Sequence, residues 1–157
     1  MVPRLFHVGS EPVDRFVPRP SPEWSSRPGV PLVWAVDEDH LWLRLLPRQC
    51  HRVHATTADG ERHVWVTPTC RERSQRVRLH LHELPNHGFT VEDHSAGYWV
   101  ASHPVSPIDV RTVPPLTELA AHGVSIRSTD DIDGVVDRVT ATEHDWSVIR
   151  APDVTPW

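Results

Sequence analysis

PLVWAVDEDHLWLRLL, residues 31 to 46, carries the change of pattern on which the fold turns. Its first six residues form an unbroken apolar run, the mark of a buried strand. Three acids then interrupt it: Asp37, Glu38 and Asp39. Asp37 can cap a helix, and Leu41, Trp42 and Leu45 then share its apolar side. A buried strand that runs straight into a short helix sets the grain of the chain.

Working outward, the pattern becomes β after Pro47. HRVHATTA (51 to 58) and RHVWVTP (62 to 68) flank Asp59-Gly60, a hairpin turn signal. RVRLHLHEL (76 to 84) alternates, with Val77, Leu79 and Leu81 on one face and Arg78, His80 and His82 on the other. GFTVED, GYWVAS and SPIDVRTV read as further strands. Leu116 to His122 reads as a helical turn or two closed by Gly123. VSIRS is a strand, Asp130 to Val139 a helix capped by Thr129 or Asp130, and WSVIR (146 to 150) a last strand. Toward the N-terminus, residues 4 to 8 form a strand. The segment 9 to 30 is a long loop rich in Pro, Ser and Gly, and loops of that length in small domains tend to serve function. Strands and helices do not alternate regularly. The expected fold is α+β, a split β-core with short helices, in one domain spanning 1–157.

Composition narrows the function. The chain has 157 residues, 38% of them hydrophobic and 24% charged, which suits a globular protein. A formal charge of -5 argues against non-specific nucleic-acid binding, which needs phosphates neutralised. All 16 basic residues are Arg, so no lysine is on hand for Schiff-base or Walker chemistry. No apolar run approaches the roughly 18 residues that cross a bilayer. Cys50 and Cys70 match no zinc spacing, and two cysteines make no disulfide framework, so inert buried thiols and a cytoplasmic location are expected. Arg71, Arg73, Arg76 and Arg78 read as a solvated strand edge.

Several residues invite a site. In RLFHVGS (4 to 10), His7 precedes Gly9 and Ser10, so an imidazole sits beside a place where the backbone opens. Trp34 offers a flat ring on its strand. His80 and His82 put two imidazoles on one strand face, the spacing a metal ion uses. Their neighbours fit no metal motif, and no metal ligand is assigned.

The order of these blocks is more informative than any one of them. RLFHVGS, PLVWAVDEDHLWLRLL and GYWVASHPVSPIDVRTV together resemble the three-block layout of the ADP-ribosyltransferase fold. The chain is also similar to an uncharacterised bacterial family of small proteins with LFH-x-S, F-x-PR, VWA-x-DE-x-H, PR-x-C and S-x-IR. Here these read LFHVGS, FVPR, VWAVDEDH, PRQC and WSVIR.

The first resemblance implies a small-molecule partner, a nucleotide, with NAD as the candidate ligand. It implies that His7 orients a ribose, that Gly9 and Ser10 receive the nicotinamide amide, that Trp34 stacks on the ring, and that the loop 9–30 acts as a lid. The transferases carry a Glu near the position of residues 96 to 99. This chain has Ala96, Gly97, Tyr98 and Trp99 there, and Glu92 stands several residues upstream. A carboxylate at that place would be worth roughly 3 to 4 kcal/mol to an oxocarbenium-like transition state. Tyr98 is the remaining candidate to act with His7 in catalysis. A non-catalytic binding module on the same fold and a His-rich metal-binding β-barrel are the rival readings.

Overall fold

The computed structural model describes residues 3–142 and the backbone of residues 146–149. The elements run β1 (Leu5–Gly9), β2 (Arg19–Pro20), β3 (Pro31–Asp37), a 3-10 helix (Glu38–Arg44), β4 (Arg52–Thr56), β5 (Arg62–Val66) and α1 (Pro68–Arg76). They continue with β6 (Leu79–Leu84), β7 (Thr90–Asp93), β8 (Tyr98–Ala101), β9 (Asp109–Val113), α2 (Pro115–Ala121), β10 (Val124–Ser128), α3 (Ile132–Thr140) and β11 (Trp146–Ile149). The class is α+β, as the irregular order of strands and helices implied.

The chain divides into two compact units, each made of two separated stretches. The first takes Met1–Leu41 and His80–Thr112; the second takes Trp42–Leu79 and Val113–Trp157.

The first unit is built on a sheet in the order β7-β8-β3-β1-β6-β9, with β2 beside β3. β1 pairs antiparallel with both β3 and β6, and β3 with β8. The registers set Leu5 opposite Asp37 and Leu84, and Val33 opposite Ala101. Side chains alternate across a strand, so Leu5, Val33, Ala35, Leu84 and Ala101 point to one face. There they form a core with Phe89 and Val105, closed by Phe16 and Trp99. Arg4 clamps the edge of this unit. Its guanidinium donates two bonds to Glu83, at 2.9 and 2.8 Å, and one to Glu38 at 2.7 Å.

The long loop between β1 and β3 is tied down. Phe16 and Val105 exchange backbone bonds of 2.7 and 2.9 Å, β2 pairs with β3, and Val13 N–H donates to His82. Glu92 on β7 accepts from both Ser26 and Arg27. Glu92 is therefore a clasp for the loop. Its carboxyl is held below the usual range by Arg27 and Ser26.

The second unit carries a sheet in the order β10-β5-β4-β11. β5 and β10 run parallel; β4 is antiparallel to β5 and β11. The β4–β5 hairpin turns at Gly60, whose φ of 84° suits a residue without Cβ. α3 is amphipathic, with Ile132, Val135, Val136 and Val139 at helical spacing. These bury against Val53 and Ala55 on β4, and Trp65 packs at the margin. The α3 cap is Asp131, which accepts from Gly134 N–H at 2.9 Å; Thr129 instead accepts from Asp131 N–H.

Two sequence readings need correction in this unit. The segment taken as a strand edge is helix α1, and Arg71, Arg73 and Arg76 lie on it. Thr67 caps the helix by accepting from Cys70 N–H at 3.1 Å, with Pro68 in its first turn. Arg73 donates to the Gln49 carbonyl and Arg76 pairs with Glu72, so these arginines serve local contacts. The cysteines are not thiols either. Cys50 and Cys70, both fully buried, form a disulfide that joins the loop after Pro47 to α1. Disulfides persist mainly in oxidising compartments, so the pair removes the cysteine argument for a cytoplasmic location. Among the described residues no helix is long and apolar enough to cross a membrane.

Candidate functional site

The residues singled out from the sequence all fall in the first unit, but not in one place. Opposed residues of a ladder share a face. Phe6 lies opposite Val36, Val36 opposite Tyr98, and Trp34 opposite Val100. Trp34 and Tyr98 therefore rise from one face of the sheet. His7 lies opposite His82, with Leu5 opposite Leu84, on the other face.

The ring contacts agree. His7 packs on Phe16 at 4.6 Å and lies 6.3 Å from His82, beside the apolar core. Its Nδ1 donates to the Trp34 carbonyl at 3.0 Å, so it reaches the Trp34 backbone and not its indole. The two-walled cleft expected from His7 and Trp34 is not formed. Gly9 is not a forced glycine, since an added Cβ would meet its neighbours at ordinary distances of 3.5 Å or more. Ser10 is exposed beyond the strand.

His82 is a structural residue. Val13 N–H donates to its Nε2 at 2.9 Å, which requires a lone pair there. Its Nδ1 must then carry the proton, and it donates to the His7 carbonyl at 3.2 Å. Both nitrogens are committed and the ring is fully buried. Burial holds its pKa below the ordinary value. A ring with no lone pair to offer cannot join His80 on a metal, which removes the paired-imidazole site. His80 meets Thr112 Oγ1 at 3.1 Å. Among the described residues no group of three or more His, Cys, Asp or Glu could hold a metal ion.

What the structure does assemble is an aromatic platform. Trp34 and Tyr98 meet edge to face at 5.5 Å. Trp24 joins them, 5.9 Å from Trp34 and 6.1 Å from Tyr98. Trp24 comes from the long loop and is 69% exposed. The loop holds it there by a compact turn: Ser21 N–H donates to Val30 O at 2.9 Å, and Gly29 N–H to Ser21 O at 3.0 Å. The Ser21 hydroxyl also accepts from the Trp34 indole N–H at 3.1 Å. With the Glu92 clasp, three rings of this unit are fixed with one of them open to solvent.

At the end of β3, Asp37 does more than cap. It accepts from His40 N–H at 3.0 Å and from the His40 ring Nδ1 at 2.6 Å. A carboxylate on Nδ1 fixes the tautomer and leaves Nε2 as the basic atom, the arrangement that general-base imidazoles use. Gly97 makes room for that ring. It has φ of 69°, and a Cβ there would stand 2.4 Å from His40 Nδ1. The sequence offered this pair as Asp and His three apart, and only the cap was read from it.

A family profile matches residues 6–153. The chain belongs to DUF6886, a family of unknown function. No curated protein and no solved structure matches this DUF6886 chain. The family therefore accounts for nearly all of the sequence, while the platform, the His82 lock and the Asp37–His40 pair rest on geometry alone.

Proposed function

We propose that this DUF6886 protein binds a small molecule with a flat ring, which stacks on the Trp24–Trp34–Tyr98 platform. The exposed Trp24 ring, backed by two further rings on a tied loop, carries the reading. A large indole left in water is costly, and an aromatic face fixed in advance binds a planar group with little further ordering. Ligand sites combine such apolar faces with a few placed polar groups, and Ser21, Arg27 and Glu92 lie on the same loop and its clasp.

NAD is the first probe, because nicotinamide and adenine are both flat and because the sequence blocks resemble those of ADP-ribosyltransferases. Trp34 and Tyr98 keep their proposed ligand role; His7 acts as a support beneath the Trp34 backbone. Binding without turnover is the expected outcome, given the missing Glu.

The test is a fluorescence titration with NAD, nicotinamide and adenosine, with ribose as the non-planar control. Saturable quenching by at least one planar ligand, lost in Trp24→Ala and absent with ribose, supports the platform. No quenching by any of them at millimolar concentration, or equal quenching in Trp24→Ala, removes it.

A further inference from the structure

The sheet of the first unit ends on β9, a strand that the proposed platform does not use. Among the described residues β6 is its neighbour, and β9 closes the strand order on that side. Asp109, Val110, Arg111 and Thr112 are all exposed, so the outer side of the strand is open. Val110 is 40% exposed and Ile108, just before the strand, 66%. An open edge offers a row of backbone donors and acceptors to any strand laid beside it. The platform strands β3 and β8 are separated from β9 by β1 and β6, so this inference does not rest on the platform.

The two edges of this sheet are built differently. β7, at the other edge, carries a register shift between Val91 and Asp93 and holds two acids, Glu92 and Asp93, with no base. Both features discourage a second strand. β9 holds one acid and one base, Asp109 and Arg111, two residues apart and so on one face; Val110 and Thr112 share the other. Pro107 and Pro114 bracket the strand, and neither has an N–H to extend a ladder.

We propose that β9 is the seam of a homodimer, pairing antiparallel with β9 of a second copy about a two-fold axis at Val110. Opposed residues of an antiparallel ladder share a face, so such an axis must fall on a residue. An axis on Asp109 sets two acids against each other, and one on Arg111 sets two guanidinium groups against each other. An axis on Thr112 faces Arg111 with Val113. An axis on Val110 sets Asp109 of each copy opposite Arg111 of the other, sets Val110 against Val110, and brings the exposed Ile108 up to Thr112. Opposite charges across a ladder attract and like charges repel, so the sequence selects this register. Arg111 also acts on Glu83 of its own sheet, and a guanidinium has donors for more than one carboxylate. The two-fold uses each open edge once and the prolines stop the ladder, so the assembly closes at two copies.

The experiment is sedimentation equilibrium of the full chain from about 10 µM to about 500 µM, a range that suits a small interface. The apparent mass is expected to climb from that of one chain toward that of two. Asp109→Arg and Arg111→Asp each make both cross-strand pairs repulsive, and each alone is expected to weaken association by about tenfold or more. Mixed in equal amounts, the two variants restore opposite charges and are expected to associate with each other as wild type does. Val110→Lys places two ammonium groups at the axis and is expected to stay monomeric. Val17→Lys, at an exposed valine of the long loop, is expected to behave as wild type. A wild type that stays monomeric at the highest concentration overturns the proposal. So does a dimer that keeps its affinity in Val110→Lys, a mixture of the two charge variants that stays apart, or growth beyond two copies. Should the charge variants not fold, Val110→Lys against Val17→Lys decides.

Discussion

His82 in the first unit and His54 in the second are both sealed from water on interior strands, yet their surroundings are opposite. His82 has a backbone donor on one nitrogen and a backbone acceptor on the other. His54 has neither, and its charged neighbours are two arginines. The arginines repeat the contrast. Arg4 lies between two carboxylates, which hold its proton affinity above the ordinary value, while among the described residues Arg52 donates to carbonyl oxygens. A satisfied buried polar group makes a fold specific. An unsatisfied one beside cationic neighbours is instead a standing cost to the fold, and burial keeps such a ring neutral.

The sharpest way to break that comparison is to substitute both rings alike. His82→Leu orphans the Val13 N–H and the His7 carbonyl, and is expected to cost about 3 kcal/mol of unfolding free energy. His54→Leu removes orphaned atoms, and is expected to stay within about 1 kcal/mol of wild type. Urea midpoints measure both, and equal losses would erase the distinction.

The disulfide bears on the cationic side, since Cys50 O faces Arg52. Cys50→Ala with Cys70→Ala releases a link spanning 20 residues, and is expected to cost roughly 3 kcal/mol. Melts with and without reductant should show the same loss in wild type and none in the double variant. On the first unit, Gly97→Ala forces an unfavourable φ and crowds His40. It is expected to cost roughly 1 to 3 kcal/mol by urea denaturation.

Acid should act on both histidines. The unfolded chain protonates its histidines near 6.5, while the folded rings are held lower, so stability is full above that value and declines as pH falls below it. His54→Leu should flatten part of the decline below about pH 6.5, as read from urea midpoints. The smallest effect belongs to Trp24→Ala, expected within about 0.5 kcal/mol of wild type because the ring is mostly exposed. Its consequence should appear only in ligand titrations.

The strands were legible because their patterns are local. VWAV, VHA beside Asp-Gly, and LHLHEL announce themselves by apolar runs, turn residues and alternation. α1 was not, because its sequence PTCRERSQR buries only Cys70 and Ser74 and so has almost no apolar stripe. Its one clear signal was Thr67 before Pro68. The disulfide was missed because spacing alone does not show which loop returns to which helix. Of the residues singled out from the sequence, Trp34 and Tyr98 are brought into ring contact, a contact that neither strand pattern announces. Trp24 could not be placed from a loop without period, and His7 was put beside Trp34 when the ladder register sends their rings to opposite faces. Arg52 and His54 were hidden by the same alternation, which reads as a polar face until both sides of the sheet are covered.

Finally, the interleaved path of the chain through its two units constrains how it can be made. A ribosome that has delivered residues up to Leu79 has supplied half of each unit and completed neither. β1 can find β3 at that point, but β6 and β8 are still to come, and β5 waits for β10. Early folding must therefore leave open edges on both sheets at once, at β1, β3, β4 and β5, exposed to pairing with neighbouring chains. Splitting the gene near residue 79 should yield two fragments that fold only together.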